Sequence, residues 1–107
     1  MSQFAKITAI EYVLPVKTLS NEDLARDFPE WNVDKIFSKT GINNRQIAGV
    51  SECASDLAFQ ACDKLLNAID LDRSAIDFII LCTQSPDYFL PATACILQDR
   101  LGLSTQC

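Results

Sequence analysis

The stretch Ser74-Ala75-Ile76-Asp77-Phe78-Ile79-Ile80-Leu81-Cys82-Thr83-Gln84-Ser85-Pro86-Asp87-Tyr88-Phe89-Leu90-Pro91-Ala92-Thr93-Ala94-Cys95-Ile96-Leu97-Gln98-Asp99-Arg100-Leu101-Gly102 decides how the rest of the chain is read. Phe78 to Cys82 is an unbroken apolar run without polar alternation, the pattern of a parallel strand covered on both faces. Pro91 suits the first turn of a helix, where its missing N–H would be unpaired in any case, and Gly102 suits the left-handed position just past a helix end. Between them the polar residues are mainly Thr93, Gln98, Asp99 and Arg100, so the first half of this helix predicts burial by more than one neighbour. A strand, loop and helix in this order normally return to a parallel strand through a right-handed crossover. Too few residues follow Gly102 to supply it.

Working outward, Ser51 is placed to cap the longest helix, which runs to about Ile69. Ala54, Leu57, Ala58, Ala61, Cys62, Leu65 and Ile69 recur at three- and four-residue steps as one broad apolar stripe. Further upstream, Phe4 to Leu14 reads as a first strand closed by Pro15. Ser20 with Asp23 resembles a capping box opening a short helix with Leu24, Ala25 and Phe28 inward, ended by Pro29. Asn32 caps a second short helix, Val33 to Ser38, with Ile36 and Phe37 inward, and Gly41 ends it. Asn43 to Ala48 reads as an exposed hairpin arm or short strand. Trp31, in the joining turn, reads as a lid over the two small helices ahead of any role in stacking on a ligand.

The 107 residues suffice for one domain with one modest core, and 49% hydrophobic and 21% charged residues are ordinary globular values. A net charge of −5, with 9 basic residues spread along the chain, argues against a nucleic-acid or anionic-membrane partner. No run approaches the roughly 20 apolar residues of a membrane span, and the N-terminus lacks the pattern of a signal peptide. These features predict a cytoplasmic protein. The five cysteines have no Cys-x-x-Cys spacing and mostly lie in apolar periodic segments, which predicts reduced, buried thiols. Histidine is absent. That excludes Ser-His-Asp and Cys-His catalysis and His-containing zinc sites from these residues alone.

Catalytic motifs are lacking: there is no phosphate loop, no paired buried carboxylates and no evident activated nucleophile. Asp77 reads as a turn acceptor. Thr83, Gln84 and Ser85 lie at the carboxyl end of the expected strand, where open α/β sheets place their sites. Lys39 and Arg45 flank a glycine turn and could hold a phosphate-bearing ligand, although a solvated basic edge explains them equally well.

The order of segments is nevertheless specific. Lys39-Thr40-Gly41-Ile42-Asn43-Asn44-Arg45-Gln46-Ile47-Ala48, then Ser55-Asp56-Leu57-Ala58, Ile76 to Asp87, Pro91 to Gln98 and Leu101-Gly102-Leu103 together resemble the start of a 3-oxoacyl-[acyl-carrier-protein] synthase III of the thiolase superfamily. The resemblance covers nearly the whole chain. It implies the front part of a thiolase-like layered α/β fold, with an incomplete mixed or parallel sheet flanked by helices and residues 1–107 as a single partial domain.

The implied activity is acyl transfer from an acyl-CoA to a cysteine at a helix N-terminus, then decarboxylative condensation with malonyl-acyl carrier protein, in fatty acid or polyketide biosynthesis by a cytoplasmic homodimer. No metal or other cofactor is implied. The cysteine, histidine and asparagine of that chemistry lie beyond these residues, so the 107 residues alone are expected to be inactive. Cys95 reads as structural, and Cys107 does not match the nucleophile's surroundings.

Three residues match binding positions of the family. Lys39 and Thr40 match an Arg-Thr pair that helps hold CoA, and Leu90 matches a position, often Phe, that reaches across the dimer to the partner's acyl pocket. The adenine-stacking tryptophan of those enzymes falls nearer Lys35 than Trp31 in this sequence. Rival readings are another thiolase-fold acyltransferase, such as a hydroxymethylglutaryl-CoA synthase, and a free-standing non-catalytic α/β binding module.

Overall fold

Lys17–Ser20 (β1) pairs antiparallel with Asn44–Ile47 (β2), with Thr18 opposite Gln46 and Leu19 opposite Arg45. The Thr18 hydroxyl also donates to Gln46 Oε1 at 2.7 Å. The structure, a computed structural model, describes residues 4–107. They divide into two compact units: Leu14–Ser51, which holds this hairpin, and the residues up to Val13 together with Glu52–Cys107.

In the hairpin unit β1 runs straight into helix α1 (Asn21–Asp27). Ser20 caps it as its sequence requires: the Asp23 N–H donates to Ser20 Oγ at 3.0 Å, and the Asp23 carboxylate accepts the Ser20 N–H at 3.1 Å. Donors at the helix start that have no intrahelical partner are thereby satisfied. Helix α2 (Val33–Thr40) opens with Asn32 Oδ1 accepting the Lys35 N–H at 2.9 Å, and closes at Gly41 with φ of 68°. Only glycine adopts that left-handed backbone without strain.

The fully buried side chain of this unit is polar. Asn21, 1% exposed, donates from Nδ2 to the Ile42 carbonyl at 2.7 Å and from its backbone N–H to the Asn43 carbonyl at 3.0 Å. Its Oδ1 accepts from Arg45 Nη2 at 2.6 Å. The start of α1 is thus tied both to the turn that follows α2 and to β2.

Several expectations for the first half of the chain are corrected. Described residues from Phe4 to Leu14 form no ladder, and the strand lies at Lys17–Ser20 instead. A strand is defined by its partner, and β2 offers its edge to Lys17–Ser20 alone. Phe28 and Phe37 are not inward; Val33 and Ile36 carry the half-buried face of α2. Trp31 stacks on Phe28 at 4.7 Å between ring centroids and leaves much of its surface open, so it is no lid.

The second unit is built on helix α3 (Ala54–Ala68) and helix α4 (Thr93–Leu101), which pack together. α3 starts later than Ser51 because the Asp56 carboxylate reaches back to the Cys53 N–H at 2.8 Å, making Cys53 the capping residue. Pro91 precedes α4 instead of lying in its first turn. Gly102, with φ of 65°, ends α4 as expected, and the Leu103 N–H donates back to the Gln98 carbonyl at 3.1 Å. That reversal returns Leu103 to the core beside Leu97 and Leu101, the apolar contact typical of such helix ends. Arg73, in the short 3₁₀ turn Arg73–Ala75, donates to the Leu101 carbonyl at 2.8 Å and pairs with Asp63.

The run expected as a strand covered on both faces is covered here on one. Ile79 and Leu81 pack on the α4 core, whereas Phe78 and Ile80 are 75% and 83% exposed. No described residue offers it a ladder partner, so the sheet of the described residues is the β1–β2 pair. The thiols expected to be buried are mostly open: Cys53, Cys82 and Cys95 are exposed, and Cys62 and Cys107 are half-buried. No helix among the described residues is long and apolar enough to cross a membrane.

Candidate functional site

Capping of α2 at Asn32 puts two rows of residues four apart along one face: Trp31, Lys35 and Lys39 in one row, Asn32, Ile36 and Thr40 in the other. These six residues line an open groove of about 430 Å³. An indole stands at its start and two ammonium groups follow at successive turns. Neither lysine forms an ion pair among the described residues.

Lys39 and Thr40, the two matched positions, therefore meet in one groove, but Thr40 is committed elsewhere. Its hydroxyl donates to the Ile36 carbonyl at 2.7 Å and accepts the Ile42 N–H at 3.1 Å. With its single donor in use, Thr40 shapes the turn and leaves charge to Lys35 and Lys39. Arg45 does not join them. Its Nη2 is held by Asn21, and its Nη1 is buried without an acceptor among the described residues.

Leu90 belongs to the other unit, on the loop before α4, and is 85% exposed beside the exposed Tyr88 and Phe89. Gln84, Pro86, Asp87, Tyr88 and Phe89 line a recess of about 480 Å³. Thr83 and Ser85 stay outside it, and Thr83 Oγ1 accepts the Ser85 N–H at 3.0 Å in a local turn.

Asp87 is a residue that motif reading passes over. Its Oδ1 accepts the Ser55 N–H at 3.0 Å, and its own N–H donates to Thr93 Oγ1 at 3.1 Å. Arg100 completes the surroundings of Ser55, donating to Ser55 Oγ at 2.9 Å and to Asp56 Oδ1 at 2.8 Å while lying over the Phe59 ring. The Cys53 N–H, and then Arg100, hold the Asp56 carboxyl below the usual aspartate range. The Ser-Pro-Asp triplet ahead of a helix was the available signal for Asp87.

No strong nucleophile emerges from this arrangement. Burial pushes the Cys62 thiol up, away from the thiolate form. Among the described residues no three of His, Cys, Asp and Glu come together to hold a metal ion. What the chain does present is a cationic groove with an aromatic end, and a pinned loop with exposed apolar side chains.

Comparison with known proteins assigns the architecture: the chain has the fold of part of a thiolase-like α/β protein. A solved 3-oxoacyl-(acyl-carrier-protein) synthase III matches it with a TM-score of 0.76 at 46% identity, over 92% of this chain and 29% of that one. The 3-oxoacyl-(acyl-carrier protein) synthase of Burkholderia xenovorans gives 0.79 at 33% identity, over 92% and 29%. In sequence, the β-ketoacyl-[acyl-carrier-protein] synthase III of Neisseria meningitidis serogroup B is 42% identical over 108 residues, 98% of this chain and 32% of the relative. No protein-family model matches. Over its own length the chain is synthase III-like in sequence and in fold, and it spans about a third of the length of the relatives it matches.

Proposed function

We propose that this chain acts as part of a 3-oxoacyl-[acyl-carrier-protein] synthase III-like acyltransferase, which condenses an acyl-CoA with malonyl-acyl carrier protein in fatty acid biosynthesis. The observation that carries this reading is synthase III likeness over nearly the whole chain, in sequence and in backbone. The chain has no histidine. The nucleophilic cysteine, histidine and asparagine of the reaction come from outside these residues, and the contribution of this part is to bind and select the primer.

The α2 groove is the CoA site in this reading. Lys39 and its neighbour Lys35 hold phosphates as point charges, while Trp31, offset from the family's adenine-stacking position and stacked on Phe28, borders the groove. Their spacing supports it, because like charges four residues apart repel weakly until an anion lies between them. Leu90 faces the acyl pocket of a partner subunit in a cytoplasmic homodimer, and a side chain smaller than Phe there leaves room for a longer or branched primer.

Steady-state kinetics of the full-length protein with acyl-CoA and malonyl-acyl carrier protein test this reading. Lys39→Ala is expected to raise KM for acyl-CoA about tenfold with little change in kcat, the loss of one charge-assisted contact made equally in ground and transition states. An unchanged KM removes the groove from the reading. Absence of any condensation removes the reading itself.

A further inference from the structure

The loop that presents Leu90 is fastened to both helices of its unit through one residue. Asp87 binds the backbone N–H of Ser55, the second residue of α3, through its carboxylate, and binds the hydroxyl of Thr93, the first residue of α4, through its own N–H. Ser55 and Thr93 are each 3% exposed, so both bonds lie where an unmade one is costly. Ser55 is held in turn by Arg100. From Tyr88 to Pro91 the loop forms no hydrogen bond among the described residues, and its side chains at Tyr88, Phe89 and Leu90 are exposed. The position of Leu90 thus depends on the fastening at Asp87 three residues upstream and on the start of α4 just downstream.

We propose that Asp87 is a positioning residue for primer selection: by clamping the loop between Ser55 and Thr93 it sets where Leu90 is placed, and so which acyl chains are accepted. This rests on the reading of Leu90 as an acyl-facing residue. Asp87 touches no substrate. Its effect passes through the backbone of Tyr88 and Phe89, and displacements on the order of an ångström at a positioning element are enough to change rates severely.

The test compares Asp87→Ala, Asp87→Asn, Thr93→Val and Leu90→Phe in the full-length protein, reading the ratio of kcat/KM between a short straight-chain and a branched acyl-CoA. Asp87→Ala and Thr93→Val each remove one bond of the clamp and are expected to shift that ratio about tenfold, the scale on which pocket shape discriminates apolar chains. Asp87→Asn keeps an acceptor for the Ser55 N–H and is expected to stay near the parent. A merely structural role would lower both primers alike and leave the ratio unmoved. If Leu90→Phe shifts the ratio while Asp87→Ala and Thr93→Val do not, the clamp is overturned and the Leu90 reading stands. If Leu90→Phe leaves the ratio unchanged, the Leu90 reading fails and the proposal falls with it. Thr93→Val is nearly isosteric, so it decides the matter even where Asp87→Ala folds poorly.

Discussion

The two units of this chain are held together by different physics. In the unit of α3 and α4, the buried residues include Leu66, Leu97, Leu101 and Leu103, and those last three gather Ala58, Phe59, Ile79 and Leu81 around them. In the hairpin unit the fully buried side chain is Asn21, and order comes from helix caps, a four-residue ladder and the Asn21–Arg45 bond. Apolar packing tolerates imprecise geometry but responds to lost volume. A hydrogen-bonded unit responds little to volume and strongly to a lost partner. Each unit is therefore fragile to a different kind of substitution, and the open groove of α2 lies on the hydrogen-bonded one.

The contrast is most sharply broken at Leu97. Leu97→Ala is expected to cost about 2–5 kcal/mol, the range for truncating a buried leucine, in urea denaturation. A cost under 1 kcal/mol would mean that the α3–α4 core is not what holds its unit. Next comes Asn21→Ala, expected to cost about 1–3 kcal/mol because it leaves the half-buried Arg45 guanidinium and the Ile42 carbonyl without this partner. A neutral result would move the hairpin unit into the apolar class as well.

The smallest effect is that of acid, and it reaches both units. The Ser20 hydroxyl holds the Asp23 carboxyl low, and the Cys53 N–H, then Arg100, hold that of Asp56 low. A carboxyl depressed in the folded state contributes stability that is present above its unfolded value and lost as pH falls through the folded one. Thermal midpoints should therefore fall as pH drops below about 4. Asp56→Asn is expected to flatten that fall for the helical unit, and an unchanged slope would show that the Cys53 cap contributes nothing there.

What was legible beforehand follows the range of the interaction. Ser20 with Asp23, Asn32, Gly41 and Gly102 are decided within one turn of chain, and all four end or start helices where the residues require. The apolar stripe of α3 was equally readable, although its start shifted from Ser51 to Cys53 because Asp56 competes as the acceptor. Strand pairing is not local. The apolar content of Phe4 to Leu14 and of Phe78 to Cys82 says that cover is wanted but not by what, so β1 emerged at Lys17–Ser20, and Phe78 and Ile80 stand open.

For the site, Thr40 and Leu90 came from resemblance to a family, and Lys39 from that resemblance and from its charge beside the Gly41 turn, none of them from periodicity. The four-residue spacing of Trp31, Lys35 and Lys39 is plain in the sequence, but it becomes one face only once Asn32 is known to cap the helix. Asp87 was hidden because its partners, Ser55 and Thr93, are remote in sequence and one of them contributes only a backbone N–H.

Trp31 is the only tryptophan of the chain, and it stacks on Phe28 within the hairpin unit. Intrinsic indole emission, excited outside the tyrosine band, is therefore a private signal of residues 14–51, whereas far-ultraviolet dichroism is dominated by the long helix at 54–68. Recorded side by side in one titration, the two signals report whether the halves melt as one body or in succession, without any label.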